Sequence, residues 1–314
     1  MTNNKNESPP AESIEQGPGF QGQIAVFLIK LFGLLPLSLA RWLGARVSSI
    51  LWKIGDRSAQ VTRENLRIAY PDMDETKREQ LAYQSMLETG RLGTEICVVH
   101  MRDLDWVQGH IYRTEGEDVI DEALDRGKGV IILAPHLGNW ELLGNVLITY
   151  GKLTILYQPP KQPYLESVIK EAREKHGTTT VPTTHRGVAS LLKKLREGGI
   201  TGILPDQIPN EGSGEYAPFF GEPAYTMTAV HGFLQRTDAS AVFAFAKRVD
   251  EGFEIHFRSP SNDIYSEDLA TSLKALNKGV EECIAYCPEQ YQWEYKRFKR
   301  KDQHGENVHY KKRI

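Results

Sequence analysis

The chain has little of several things that would point elsewhere. Its 314 residues include three cysteines, Cys97, Cys283 and Cys287, too few for a disulfide framework and in keeping with a reducing compartment. Cys283 and Cys287 stand one helical turn apart, but a single such pair lacks the other ligands of a zinc site, so core packing is the expectation there. No Gly-x-Ser-x-Gly elbow occurs, which removes the conventional serine hydrolase. A net charge of −3 and a pI near 6.3 give no overall basic excess of the nucleic-acid-binding kind. There is no internal repeat, and no charge-free run reaches the roughly 18 to 20 residues of a membrane span.

That last absence shapes the reading of the N-terminus. Residues 1–19, rich in Asn, Ser, Pro, Glu and Gly without apolar periodicity, read as a disordered tail. Residues 20–54 are mostly apolar, and their only charges are Lys30, Arg41, Arg46 and Lys53, all positive. No basic region precedes them and no small-residue cleavage site stands out, so they are not a signal peptide. Pro36 interrupts the second of two short charge-free runs. Leu28, Leu31, Leu34 and Leu35, with Trp42 and Trp52 near basic residues, suit helices lying in a membrane interface better than one marginal span through Lys30. A buried helical hairpin of a soluble enzyme is the plain alternative.

Residues 56–103 are helical and amphipathic, broken by the Pro71-Asp72 turn. The second helix buries Leu81, Met86, Leu87, Leu92, Ile96 and Val99, and Glu95 reads as a solvated or salt-bridged position. From Val107 onward strands and helices alternate. Helices are expected over 118–126, 140–150, 164–176, 187–196 and 269–287, and strands over 130–134, 153–157, 179–182, 200–204, 242–248 and 254–258. Such alternation predicts an α/β fold with a central, mostly parallel sheet flanked by helices.

Within it, Gly129-Val-Ile-Ile-Leu-Ala-Pro-His-Leu-Gly-Asn-Trp-Glu-Leu-Leu-Gly144 carries the chemistry. The unbroken apolar run predicts a strand buried on both faces. Asn139 is placed to cap the helix that follows, with Glu141 in its first turn. His136 then sits at the carboxyl end of a buried strand, where open α/β sheets bind ligands. Glu141 five residues on could fold back and orient the imidazole as a general base; a helix-capping histidine is the bland alternative. A second strand end, Gly202-Ile-Leu-Pro-Asp-Gln207, delivers Asp206 in the same way, unless Asp206 serves only its turn. Thr226 and Thr228 stand where they could cap a helix near Ala229, and Phe219 and Phe220 could wall an apolar tunnel or simply pack. Lys170, Arg173 and Arg186 suit phosphate or carboxylate near a site, and need no explanation as solvated helix faces. Near the C-terminus, Lys296-Arg-Phe-Lys-Arg-Lys301 and Lys311-Lys-Arg313 suit anionic headgroups, with a nucleic-acid tail as the rival.

These residues resemble a known family. His136-x4-Glu141 looks like the H-x4-D/E motif of the lysophospholipid acyltransferase superfamily, and more narrowly like that of the lipid A late acyltransferases, the lauroyl and myristoyl transferases of Gram-negative bacteria. Arg63-Glu-Asn-Leu-Arg-Ile-Ala-Tyr-Pro71, Tyr157-Gln-Pro with Pro163 and Arg173, Leu204-Pro-Asp-Gln207, Phe219-Phe-Gly with Pro223-Ala and Thr226, and Pro288-Glu-Gln-Tyr-Gln-Trp293 with Arg297-Phe298 resemble family blocks in family order. One departure is Gln158, where the family often has arginine.

The resemblance implies a glycerolipid acyltransferase-like α/β domain over 55–300, a membrane-associated helical segment over 20–54 and a basic tail over 301–314. It implies transfer of an acyl chain from a thioester, borne by acyl carrier protein, to a hydroxyl of a glycolipid at the cytoplasmic face of the inner membrane. His136 and Glu141 would be catalytic. Asn139, Tyr157, Arg173, Asp206 and Thr226 would meet substrate, with no metal, cofactor or nucleic acid involved. Other classes stay open: a lysophospholipid or ornithine-lipid acceptor, or a lipid-binding relative without turnover.

Overall fold

The computed structural model describes residues 20–160, 162–300 and 307–310; the tail expected over 1–19 lies outside them. Four helices come first: α1 (Phe20–Gly33), α2 (Leu37–Lys53), α3 (Arg57–Ala69) and α4 (Glu75–Met101). Pro36 separates α1 from α2, and Asp56 and Asp74 cap the next two by accepting from Ser58 N at 2.9 Å and Lys77 N at 3.1 Å. α2 lies against α4 with Gly44 opposite Gly90. A Cβ on Gly44 would come within 2.1 Å of the Gly90 carbonyl oxygen, so only glycine permits this backbone contact. Among the described residues no helix is long and apolar enough to cross a membrane. Phe27 and Leu31 of α1, Leu34 in the turn after it, and Trp42, Val47 and Ile50 of α2 are nonetheless exposed.

The alternation expected from Val107 onward is present. In chain order follow α5 (Leu104–Gly109), β1 (Ile111–Glu115), α6 (Glu117–Asp125), β2 (Val130–Leu133), α7 (Trp140–Tyr150), β3 (Thr154–Tyr157), α8 (Pro163–Glu174), β4 (Thr179–Pro182), α9 (His185–Arg196) and β5 (Ile200–Ile203). Then come β6 (Gly214–Phe219), β7 (Glu222–Met227), α10 (Ala229–Leu234), β8 (Ser240–Val249), β9 (Gly252–Arg258) and α11 (Leu269–Ile284). The main sheet has the order β1-β9-β8-β2-β5, parallel except for the β8–β9 hairpin. β3 and β4 pair in parallel beside it, and Leu153 bridges to Ile200 of β5.

β2 shows why its sequence is apolar throughout. Val130 and Ile132 join Leu142, Leu143 and Val146 of α7 in one core cluster, whereas Ile131 and Leu133 join α9 and α11 residues in the other. Cys283 and Cys287 are buried, and burial pushes both thiols up, that of Cys283 to about 12. α5, β1 and the β6–β7 hairpin were not expected from the sequence. β1 is an edge strand whose residues are only partly covered, and the β6–β7 hairpin buries only Ala217, Phe219, Ala224 and Thr226.

The C-terminus corrects the reading of a wholly surface-directed basic segment. Arg297 is buried, donating to Tyr225 O at 2.6 Å, Thr226 Oγ1 at 3.0 Å and Asn277 Oδ1 at 3.4 Å. Tyr310 is buried too. Its hydroxyl donates to Asn65 Oδ1 at 2.5 Å and accepts from Phe298 N at 3.1 Å. Residues 307–310 therefore belong to the body of the protein, while Lys301 and residues 311–313 lie outside the described residues.

Candidate active site

The turn after β2 is fixed by its backbone. Gly138, at φ +62°, lies so close to β8 that a Cβ would meet Ala246 O at 2.0 Å. Its N–H donates to Gln290 O at 3.1 Å, and Asn139 N donates to Ala246 O at 2.8 Å. Asn139 then caps α7, accepting from Leu142 N at 3.0 Å. This geometry presents His136 at the carboxyl edge of the sheet, with the Trp140 ring 4.7 Å away, edge-on.

β5 is the neighbour of β2, so its carboxyl end brings Asp206 to the same place. His136 Nδ1 lies 2.9 Å from Asp206 Oδ1, and His136 N donates to Oδ2 at 3.0 Å. Asp206 is 2% exposed. Burial opposes its charge, but the His136 charge and hydrogen bonds outweigh that and hold the carboxyl below its usual range. Tyr291 packs beside it, its phenol pushed well above its ordinary value by burial and then by the Asp206 charge, so it stays neutral. In the neutral imidazole, Nδ1–H donates to Asp206 and Nε2 keeps a free lone pair.

Glu141 is elsewhere, and the expectation that it orients His136 is corrected on this point. From the first turn of α7 it faces α4 and α8. Arg173 grips it in a fork, Nε to Oε2 at 3.1 Å and Nη2 to Oε1, and His100 Nε2 lies 3.3 Å from Oε2. Burial works against its ionisation, but the His100 hydrogen bond and the Arg173 charge hold it well below the carboxylate range. Trp140 occupies the helix position next to the imidazole, and Glu141 falls about 100° further round the helix. Glu141, Arg173 and His100 line an apolar cavity of about 110 Å³ with Leu143, Leu147 and Ile155.

The remaining expected residues divide. Tyr157 is buried beside this cluster with Arg173 5.9 Å from its ring, and its hydroxyl has no hydrogen-bond partner among the described residues. Asn139 is fully buried, both ends of its amide engaged by Leu142 N and by Glu95. Thr226 is fully buried in β7, bonded to Arg297, Asn277 and Ala224 O, and is not presented to a substrate.

Several supports were not legible beforehand. Glu95, read as a surface or salt-bridged position, is 0% exposed and bonded to Arg41 Nε at 2.5 Å, Arg248 Nε at 2.7 Å and Asn139 Nδ2 at 3.2 Å. Arg248 also donates to Gly138 O at 3.3 Å, so this network ties α2, α4 and β8 to the turn after β2. Gln292 N donates to His136 O at 3.1 Å and its side chain accepts from Gln207 at 2.9 Å. Asn65 of α3 donates to Trp293 O and Tyr295 O at 2.6 Å each and so holds the segment 292–295. Glu294 on it is pushed up by burial and accepts from Thr89 at 3.1 Å.

A histidine oriented by a carboxylate at the carboxyl edge of an α/β sheet defines a site suited to general-base chemistry, and Trp140 beside it also lines the apolar cavity that holds the Glu141–Arg173 clamp. Comparison with known proteins gives the particular kind. Residues 20–300 match the family described as bacterial lipid A biosynthesis acyltransferase, and the chain belongs to that family. It is an O-acyltransferase. Its relatives include the lipid A biosynthesis palmitoleoyltransferase of Escherichia coli strain K12, 24% identical over 84% of this chain and 86% of that one. The lauroyltransferase of the same strain is 22% identical over 84% and 87%, and the myristoyltransferase 22% identical over 79% and 77%.

Proposed function

We propose that the protein transfers a fatty acyl chain from acyl carrier protein to a hydroxyl of a lipid A precursor, at the cytoplasmic face of the inner membrane. The observation that carries this is the His136–Asp206 pair, with no hydrogen-bond partner at Nε2 among the described residues, near the Glu141–Arg173 clamp and an apolar cavity. A thioester is already activated, so the chief task is removing the alcohol proton as the oxygen attacks. His136 Nε2 takes that proton, and Asp206 stabilises the imidazolium that forms. The tetrahedral oxyanion needs a donor. The amides of Leu137, Gly138 and Asn139 already donate to Pro135 O, Gln290 O and Ala246 O. Arg173 keeps N–H groups beyond those gripping Glu141, and it supplies the positive charge. Collapse breaks the C–S bond, and the thiolate takes the proton from His136. Glu141 acts in this scheme by fixing Arg173, and Tyr157 contributes its hydroxyl to substrate.

The membrane reading is supported by the exposed apolar residues of α1 and α2 and their exclusively positive charges, which suit monotopic attachment. Because Phe298 and Tyr310 are core residues, the role of the basic tail is tested by replacing Lys311, Lys312 and Arg313 with glutamine, not by truncation. Flotation with anionic vesicles should weaken; unchanged flotation removes the tail from the membrane role. The activity itself is tested with the purified chain, an acyl-acyl carrier protein and a lipid A precursor. One new ester on the precursor is expected, and acylation of a lysophospholipid instead would favour the alternative acceptor.

A further inference from the structure

A larger groove, of about 720 Å³, opens between α2, α4 and the β8–β9 turn, a volume in the range of small-ligand sites. β8 runs parallel to β2, so this turn and His136 share one edge of the sheet. Arg248 and Gln290 line the groove and also hold the Gly138 carbonyl and amide, two residues from His136. The charges on its walls are unevenly committed. Glu95 bridges Arg41 and Arg248, and Glu88 bridges Arg91 and Arg248. Arg46, exposed on α2, has no carboxylate partner among the described residues; its guanidinium lies 5.2 Å from the Trp42 ring. Asp250 and Glu251 stand exposed on the turn side.

We infer that this groove receives the phosphosugar headgroup of the acceptor, an inference that rests on the proposed function. The phosphate lies at Arg46, with Arg91 beside it. The carboxylates of Asp250 and Glu251 repel phosphate but accept hydrogen bonds from sugar hydroxyls, and Trp42 offers an aromatic face between cation and membrane. The same helix carries exposed Val47 and Ile50, so a headgroup in the groove leaves its acyl chains along an apolar stripe. An acidic protein partner fits less well, because the β8–β9 turn would repel it.

The test is equilibrium binding to the full-length chain in neutral maltoside micelles, with monophosphoryl lipid A, its phosphatase-treated counterpart and inorganic phosphate as probes. Arg46→Gln is expected to weaken binding of the phosphorylated glycolipid about tenfold and leave the dephosphorylated one unchanged. In turnover the acceptor KM rises by the same factor while kcat and the donor KM hold. Lys77→Gln, an exposed cation about 21 Å along α4 from Arg91, changes neither affinity. Equal binding by wild type and Arg46→Gln, or an equal loss in Lys77→Gln, overturns the inference. So does inorganic phosphate competing as well as the glycolipid. The expected binding pattern without acyl transfer to any phosphorylated glycolipid upholds the groove and sinks the proposed function instead.

Discussion

Asp206→Asn separates the pairing seen in the structure from the one that motif spacing implies. The carboxylate accepts from both the ring and the backbone of His136, at 2.9 and 3.0 Å, and is 2% exposed. Asparagine has nearly the same shape, so the fold should survive, but it carries no charge and one of its two terminal atoms is a donor. Losing a hydrogen bond between charged groups removes roughly 1.5–3 kcal/mol of imidazolium stabilisation, or about 10- to 150-fold in rate. If the amide NH₂ turns toward Nδ1, the proton moves to Nε2 and the base is lost, which costs more; the combined expectation is a fall in kcat of about 10² to 10⁴. The assay is steady-state acyl transfer by purified protein, with circular dichroism to check the fold. A folded Asp206→Asn enzyme with kcat within threefold of wild type would refute the reasoning. Glu141→Gln provides the contrast, since it frees Arg173 and leaves the imidazole contact intact.

Other perturbations follow from the same contacts. Glu95→Ala leaves the partly buried Arg41 and the buried Arg248 without their shared carboxylate and is expected to destabilise by about 3–5 kcal/mol in chemical denaturation; a change under 1 kcal/mol would contradict the network. Glu294 is raised by burial, so its folded value exceeds its unfolded one and its contribution to stability is lost as pH rises through the folded value. Glu294→Gln should therefore gain thermal stability over wild type increasingly from pH 4.5 to pH 8, and a gain that is flat with pH would rule this out. Asp206 and Glu141 are depressed. Their stabilisation is present above the unfolded values near 3.8 and 4.5 and is lost as pH falls through the lower folded values, so an acid titration of Asp206→Asn should converge on wild type only at strongly acidic pH.

How much of this was legible in the sequence follows from the range of the interactions. β2, its turn and α7 were legible because a run buried on both faces and an Asn cap are local signals. Asp206 was visible as a second polar group after a strand and a proline. Its assignment to His136 was not, because that depends on β5 lying beside β2, which spacing along the chain does not state. Glu95 read as a solvated or salt-bridged position; which of the two, and with which partners, was not legible because Arg41 and Arg248 are 54 and 153 residues away. Arg297 looked like part of a basic patch for the same reason, its acceptors being on β7 and α11. The β6–β7 hairpin was hidden by Pro218, Gly221 and Pro223, which read as loop.

The central claim is that His136, held by Asp206, activates the acceptor hydroxyl. It is tested most directly by mass spectrometry of lipid A from cells lacking the gene and complemented with either wild type or His136→Ala at matched protein levels. Wild type should restore a single acyl chain and His136→Ala should not, its activity falling by about 10² or more. Full restoration by a folded His136→Ala protein would contradict the account.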